Sequence, residues 1–436
     1  MIPVKIYQQR RARLAQQIKN GIAVIPTAPE RARNADTHYG YRFDSHFYYL
    51  TGFHEPEAVA VIIAGKNPRS ILFCREKNMQ REIWDGFRYG PAVAKKAFGF
   101  DETYSINSID KLLPQLIANK ATLATPMGLH ADWDERVMTW LNAVRAQVRN
   151  GVVPPNEIMD SHSITSEMRL HKDAYETQVM QRAADISVSA HMRAMQKTKP
   201  GKWEHEIEAE LLHEFRRFGS QAPAYTSIVA GGGNACVLHY VENNQRLKDG
   251  DLLLIDAGCE VDGYASDITR TWPVNGKFSS AQKDVYEIVL EAQMKSIAAV
   301  KPGAKFQAYH DAALKVLVRG LIDLKLCKGS VDKVIAKKEY FQFYMHRAGH
   351  WLGLDVHDAG NYQVEGGRES RKLEAGMVLT VEPGLYIRPA KNVPKYFHNI
   401  GVRIEDDVLV TKKGNVVLTD GAPKRVKDVE AWMAAA

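Results

Sequence analysis

Two stretches of this chain, 126 positions apart (247 to 373), follow the same plan, and that plan narrows the folds open to it. Leu247-Lys-Asp-Gly250-Asp-Leu-Leu253-Leu-Ile255-Asp256-Ala-Gly258 aligns without gaps to Leu373-Glu-Ala-Gly376-Met-Val-Leu379-Thr-Val381-Glu382-Pro-Gly384. Each reads as a glycine turn leading into a buried strand that ends in a carboxylate. Chance likeness between two strands is the bland alternative. A duplicated unit would instead deliver acids from two related halves to one centre.

The acids fit that second reading. Asp256 closes the apolar run 252–255, and Asp267 lies in the next predicted strand, 264–272. Asp262-Gly263 between them signals a tight hairpin turn. With the turn there, Asp256 faces Thr269, and Asp267 lies two residues from Thr269, so both acids emerge on one face. Like charges on one apolar face repel unless a cation lies between them, although two solvated acids on an exposed hairpin would escape that rule. Glu382 ends the run 377–381, and Glu405 ends 399–404, a largely apolar stretch that contains Arg403. Buried acids need a partner or a metal, and Arg403 could neutralise one of them as a structural ion pair.

Histidines complete the set. His346, His350 and His357 fall within Met345-His-Arg-Ala-Gly-His350-Trp-Leu-Gly-Leu-Asp-Val-His357, and His239 sits in Val237-Leu-His-Tyr240. Any one of them alone would be read as a structural histidine. Four carboxylates match the charge of two divalent cations, and a neutral imidazole adds a donor without changing that sum. Oxygen-rich ligation favours Mn(II), with Fe(II), Co(II) and Zn(II) as alternatives. Two such ions, ~3.5–4 Å apart, can deprotonate a shared water and polarise a carbonyl, which is hydrolytic chemistry.

At 436 residues the chain exceeds one ordinary core, and two domains are expected, 1–172 and 173–436. In the first, β-rich segments at 22–25, 47–50, 58–63, 70–73 and 122–124 interleave with helical stretches at 108–117 and 133–148, an α/β pattern closing near Val153-Pro154-Pro155. In the second, helical periodicity at 173–196, 203–218, 281–300 and 304–324 alternates with strand-rich blocks, an α+β pattern. Residues 1–20 read as an amphipathic surface helix, because Lys5, Arg10, Arg11 and Arg13 break any signal-peptide core. The longest apolar run, 58–64, is far short of the ~20 residues a membrane span needs. The net charge of +7 is scattered, with runs only as short as Arg10-Arg11 and Lys424-Arg425. That distribution reads as solvated basic surface and not as a nucleic-acid interface. Cys74, Cys236, Cys259 and Cys327 have no paired spacing and are expected to be free thiols of a cytoplasmic protein.

Ile255-Asp256-Ala-Gly, Ser266-Asp267-Ile-Thr-Arg, Gly349-His350-Trp-Leu-Gly-Leu-Asp-Val-His357, Val381-Glu382-Pro-Gly and Val402-Arg-Ile-Glu405 together resemble the signature of the pita-bread metallopeptidases. That group includes methionine aminopeptidase, prolidase and aminopeptidase P. Arg33-Asn-Ala-Asp36-Thr-His-Tyr-Gly-Tyr41-Arg42-Phe-Asp-Ser45-His-Phe47-Tyr-Tyr-Leu50-Thr-Gly-Phe is similar to the N-terminal domain of aminopeptidase P. The resemblance implies a creatinase/aminopeptidase-like C-terminal fold with two pseudo-symmetric halves, and hydrolysis of the bond between any first residue and proline by a hydroxide between two metals. A dipeptidase restricted to Xaa-Pro, or a peptide-binding relative without catalysis, is the alternative.

The same resemblance implies roles for single residues. Asp256, Asp267, His350, Glu382 and Glu405 would be the metal ligands, with Glu382 also shuttling a proton. His239 and His357 would hold substrate and stabilise the intermediate, and Arg403 would orient an acid. Tyr225 and His346 would line the proline pocket. It implies a homo-oligomer, a dimer or tetramer, in which Trp84 and Asp36 approach a neighbour's active site; by itself, Trp84 could equally be a core or patch residue. The family commonly has a small residue, often glycine, after the first histidine, and here it is Arg347.

Overall fold

The computed structural model describes residues 4–364, 366–367 and 369–435, which divide into two compact units between Arg169 and Leu170. Six strands form the sheet of the N-terminal unit, in the order Glu102–Ser105, Arg69–Cys74, Val59–Ile63, Ile22–Pro26, Thr122–Thr125 and Glu157–Asp160. Val59–Ile63 runs antiparallel to both neighbours, and the remaining pairings are parallel. Strand side chains alternate between faces, so Val59, Val61 and Ile63 join Ile22, Val24, Ile71 and Phe73 in one apolar layer. Helices Ile109–Ile117 and Ala131–Arg145 cover that layer with Leu113, Ile117, Trp140 and Leu141. The sixth strand lies beyond Pro154-Pro155, so those prolines punctuate the unit without ending it.

Two expectations for this unit are corrected. Residues 47–50 are helical, within Ser45–Thr51, and not a strand. Asp44 caps the helix by accepting the Phe47 N–H at 2.7 Å, and Gly52, at φ 66°, ends it. These local start and stop signals outweigh the strand preference of Phe-Tyr-Tyr-Leu. Arg10 and Arg11 are not solvated: they are 4% and 3% exposed on helix Val4–Gln17. Arg10 donates to Tyr49 O, and Arg11 to Leu50 O and Phe98 O, so both cations sit at the carbonyl ends of neighbouring helices, where the helix dipole favours them.

The C-terminal unit repeats one arrangement. A helix pair, Ala174–Lys197 and Glu204–Arg217, precedes a sheet ordered Ile228–Gly231, Leu252–Asp256, Thr269–Pro273. A second pair, Ser280–Ala299 and Phe306–Asp323, precedes a sheet ordered Val378–Val381, Asp406–Val410, Asn415–Val417. The matched glycines behave alike, Gly250 at φ 83° and Gly376 at φ 95°, each turning the chain into its acid-tipped strand. A further strand, Ile400–Arg403, pairs with Gly384–Ile387 and packs on the first half. The Glu405 N–H donates to Thr269 O at 3.0 Å, and Thr271 Oγ1 to Arg403 O at 3.0 Å, which joins the two halves where the acids converge.

Asp262 (φ 47°) and Gly263 (φ 82°) form the expected left-handed hairpin turn, and Asp256 pairs with Thr269. At Gly258 the paired chains press together so closely that a Cβ would lie 1.8 Å from Ser266 O. All four cysteines are buried free thiols. Among the described residues, no helix is long and apolar enough to cross a membrane.

Candidate metal centre

The acids are presented at the ends of strands, where the chain leaves the sheet and a carboxylate can face a cavity. Asp256 ends Leu252–Asp256, Glu382 follows Val378–Val381, and Glu405 stands between Ile400–Arg403 and Asp406–Val410. His350 is held against the Val378–Val381 strand, with Thr380 N–H donating to His350 O at 2.9 Å. The approach is tight enough that a Cβ on the preceding Gly349 would lie 2.0 Å from Thr380 O.

Asp256, Asp267, His350, Glu382 and Glu405 all line one cavity of about 720 Å³, together with Tyr225, His239, His346, His357 and Arg403. Asp267, His350 and Glu405 offer donor atoms within 4.8 Å of one another. His350 Nε2 lies 3.5 Å from Asp267 Oδ2 and 3.6 Å from Glu382 Oε1. Its Nδ1 donates to Trp351 O at 2.9 Å, which fixes the ring and turns Nε2 toward the acids, the arrangement a ligating imidazole needs. Asp36 and Trp84 belong to the N-terminal unit. Asp36 is exposed between the short strands Ala32–Asn34 and Thr37–His38, and Trp84 is 84% exposed on helix Met79–Asp85, so it is not a core residue.

Hydroxyls and a guanidinium hold the acids in place. Tyr225 Oη is 2.6 Å from Asp256 Oδ1 and 2.5 Å from Asp267 Oδ1. Burial and these two carboxylates push the Tyr225 phenol well above its ordinary value, so it keeps its proton. Thr269 Oγ1 donates to Glu405 Oε2 at 2.6 Å, and Arg403 Nη2 to Asp256 Oδ2 at 2.7 Å. Arg403 Nη1 also donates to Tyr386 Oη at 3.0 Å, which lies 2.8 Å from His346 Nε2. His346 Nδ1 in turn donates to Arg347 O at 2.7 Å. Burial and then Arg403 lower His346 to about 3, so its ring is neutral at pH 7.

Tyr386, Thr269 and Thr380 were not anticipated as parts of the site. Thr380 Oγ1 is 3.4 Å from Glu382 Oε1. A hydroxyl has no charge to betray it, but the hairpin register already set Thr269 opposite Asp256.

The electrostatics test whether these residues suit cations. Burial raises Glu405 well above its ordinary range, and Asp267, Glu382 and Asp256 raise it further. Burial also raises Glu382, to about 7, against the pull of His350 and Arg403, and raises Asp256 against Arg403. Asp267 is lowered despite burial, through its bond to His350. His350 rises to about 9 despite burial, through Asp267 and Glu382. Four crowded, mutually repelling carboxylates beside an oriented imidazole form a donor set that two divalent cations would neutralise.

The sequence pattern of metallopeptidase family M24 matches residues 178–412, more than half the chain. The chain belongs to that family. Its residues 7–124 match the N-terminal domain of aminopeptidase P. Over 99% of its length it is 44% identical to the Xaa-Pro aminopeptidases of Haemophilus influenzae and of Escherichia coli, covering 98% of each. The structure superposes on a Pseudomonas aeruginosa aminopeptidase with a TM-score of 0.97 at 50% identity, covering 100% of this chain and 98% of that one. It superposes on Escherichia coli aminopeptidase P bound to the inhibitor Pro-Leu with a TM-score of 0.96 at 43% identity, covering 100% and 99%. This family member therefore joins an α/β aminopeptidase P-type domain to a pita-bread metallopeptidase domain with pseudo-symmetric halves, as its sequence led one to expect.

Proposed function

We propose that this enzyme removes the first residue of peptides whose second residue is proline, with Asp256, Asp267, His350, Glu382 and Glu405 as ligands of two divalent cations. The observation that carries this reading is the convergence of four carboxylates and His350 Nε2 on a cavity that His239, His346 and His357 also line. When bound, the cations would lower the pKa of a water and polarise the scissile carbonyl. Glu382, which lines the cavity beside His350 Nε2, is placed to take a proton from the attacking water and pass it to the departing proline nitrogen. The acyl carbon gains the water oxygen as its bond to that nitrogen breaks. His357, exposed with its ring centroid 4.3 Å from that of His350, and His239 are placed to donate to the charge developing on the carbonyl oxygen. Tyr225 and His346 would line the proline pocket, and Arg403 would keep Asp256 ionised and oriented.

Proline suits such a centre. The bond before proline has no N–H, so an enzyme that grips its substrate as a strand loses a donor there. Anchoring the free amino terminus and the carbonyl avoids that dependence.

Mn(II) is the proposed native metal, because four of the five donors are carboxylates, with Zn, Co or Fe as substitutes. We further propose a cytoplasmic homo-oligomer, a dimer or tetramer, in which Trp84 and Asp36 meet a neighbour's active site. Met79, Ile83, Trp84 and Phe87, exposed by 79%, 81%, 84% and 63%, give an apolar face for that contact. The test is hydrolysis by chelator-stripped enzyme, with and without added Mn(II), of Xaa-Pro-Xaa, Xaa-Pro and Xaa-Ala-Xaa. Metal-dependent release of the first residue from Xaa-Pro-Xaa alone is expected. Cleavage of the dipeptide alone would make the enzyme a dipeptidase, and no cleavage with any metal would leave it a binding protein.

A further inference from the structure

The cavity holds two guanidinium groups, and they are not equivalent. Arg403 is fully engaged, by Asp256, Thr269 and Tyr386. Arg347 lines the same cavity, is exposed, and makes no side-chain hydrogen bond, ion pair or ring contact among the described residues. Its backbone, by contrast, is pinned on both sides. Arg347 O accepts from His346 Nδ1 at 2.7 Å, the Ala348 N–H donates to His310 Nδ1 at 3.2 Å, and Ala348 O accepts the Glu382 N–H at 2.9 Å. A fixed Cα next to the catalytic groups thus carries a charged side chain that the protein itself leaves unused.

That side chain stands on the cavity wall that carries Tyr362 and Phe306. Its charge lowers Tyr362 and Tyr309 against the burial that raises them, and lowers His310 together with burial. A planar guanidinium with open donors recognises a carboxylate in two-pronged fashion. An exopeptidase fixes its substrate by the amino terminus, so a given substrate carboxylate arrives at a fixed distance from the scissile carbonyl. On the third residue that distance is two residues of extended chain, roughly 7 Å.

We propose that Arg347 is a specificity-determining residue that binds a carboxylate on the third residue of the substrate. That group is either the terminal carboxylate of a tripeptide Xaa-Pro-Xaa or an acidic side chain at the same position of a longer peptide. The assignment rests on the aminopeptidase reading above and names the substrates that this activity would favour.

The test uses the metal-loaded full chain and its Arg347→Gln and Arg347→Lys variants. Substrates are Xaa-Pro-Ala as free acid and as C-terminal amide, and Xaa-Pro-Glu-amide against Xaa-Pro-Gln-amide. The parent is expected to prefer at least one carboxylate-bearing member of a pair by about tenfold in kcat/KM, chiefly through KM, as a charge-assisted bond would give. The pair that shows the preference identifies the source of the carboxylate. Arg347→Gln should bring that ratio close to one, and Arg347→Lys should restore part of it. A parent that cleaves all four peptides without preference, or a Gln variant that keeps the preference, would overturn the role of Arg347 and leave the aminopeptidase reading standing. No cleavage of any of the four by the parent would overturn both.

Discussion

Asp256 and Glu382 close strands launched by left-handed glycines in the two halves of one unit, yet they meet different neighbours. Asp256 has Arg403 Nη2 at 2.7 Å and Tyr225 Oη at 2.6 Å. Glu382 has Thr380 Oγ1 at 3.4 Å and His350 Nε2 at 3.6 Å and, among the described residues, no hydrogen-bonded guanidinium. Burial raises both acids, but at Asp256 a contact ion pair opposes it directly. A carboxylate without a guanidinium partner is the freer of the two to exchange a proton, whereas one locked to arginine serves as a fixed charge. The repeated arrangement therefore sets the position of the acids, and the side chains around each one set how it is held.

The strongest way to break this comparison is to remove ligands from either half. Asp267→Ala and Glu405→Ala should each lose more than ~10²-fold in kcat/KM, beyond the cost of a supporting residue, and retain fewer than two metals per folded chain. Full activity with two metals in either variant would contradict the assignment. His357→Ala should keep both metals and lose ~10²–10³-fold in kcat, as loss of a donor to developing charge would; unchanged kinetics would remove its proposed role. Arg403→Met removes the guanidinium partner of Asp256 and, with it, the bond to Tyr386 Oη in the second half. It should cost ~10–100-fold in activity or metal affinity by freeing Asp256, and would leave both intact if the ion pair were merely structural.

Metal uptake should also depend on pH in a definite sense. In the metal-free protein His350 sits at about 9 and Glu382 at about 7, so both carry protons below those values. Both must lose them to ligate, so binding should tighten as pH rises to about 9 and should release protons throughout the range below that value. Calorimetry in buffers of different ionisation enthalpy would read the release, and pH-independent binding would contradict it. The smallest effect compares the glycines. Gly250→Ala should cost about 1 kcal/mol for its left-handed backbone alone, since nothing lies within 4 Å of the added Cβ. Gly376→Ala should cost more, because that Cβ would lie 3.1 Å from Lys172 O, and thermal melts of the two variants would rank them.

Much of this was legible in the sequence, for physical reasons that differ by region. The acid-tipped strands stood out because a charge at the end of an apolar run is costly unless it is used, and the Asp262-Gly263 turn fixed the register that set Asp256 opposite Thr269. Helices with long apolar periods, such as Ala174–Lys197, were visible for the same kind of reason. The short helix Ser45–Thr51 was misread because its Phe-Tyr-Tyr-Leu core favours strand, and only Asp44 and Gly52 declare its ends. Arg10 and Arg11 were misread because their partners are backbone carbonyls more than thirty residues away, which no local pattern encodes. Tyr386, which links Arg403 to His346, depends on the packing of two separate segments.

The central claim is that two related halves deliver five donors to a pair of cations. Anomalous diffraction from crystals of the Mn(II)-loaded enzyme tests it most directly. Two peaks per chain are expected, enclosed by the carboxylates of Asp256, Asp267, Glu382 and Glu405 and by Nε2 of His350. A single peak held by one half, or ions bound elsewhere, would contradict it.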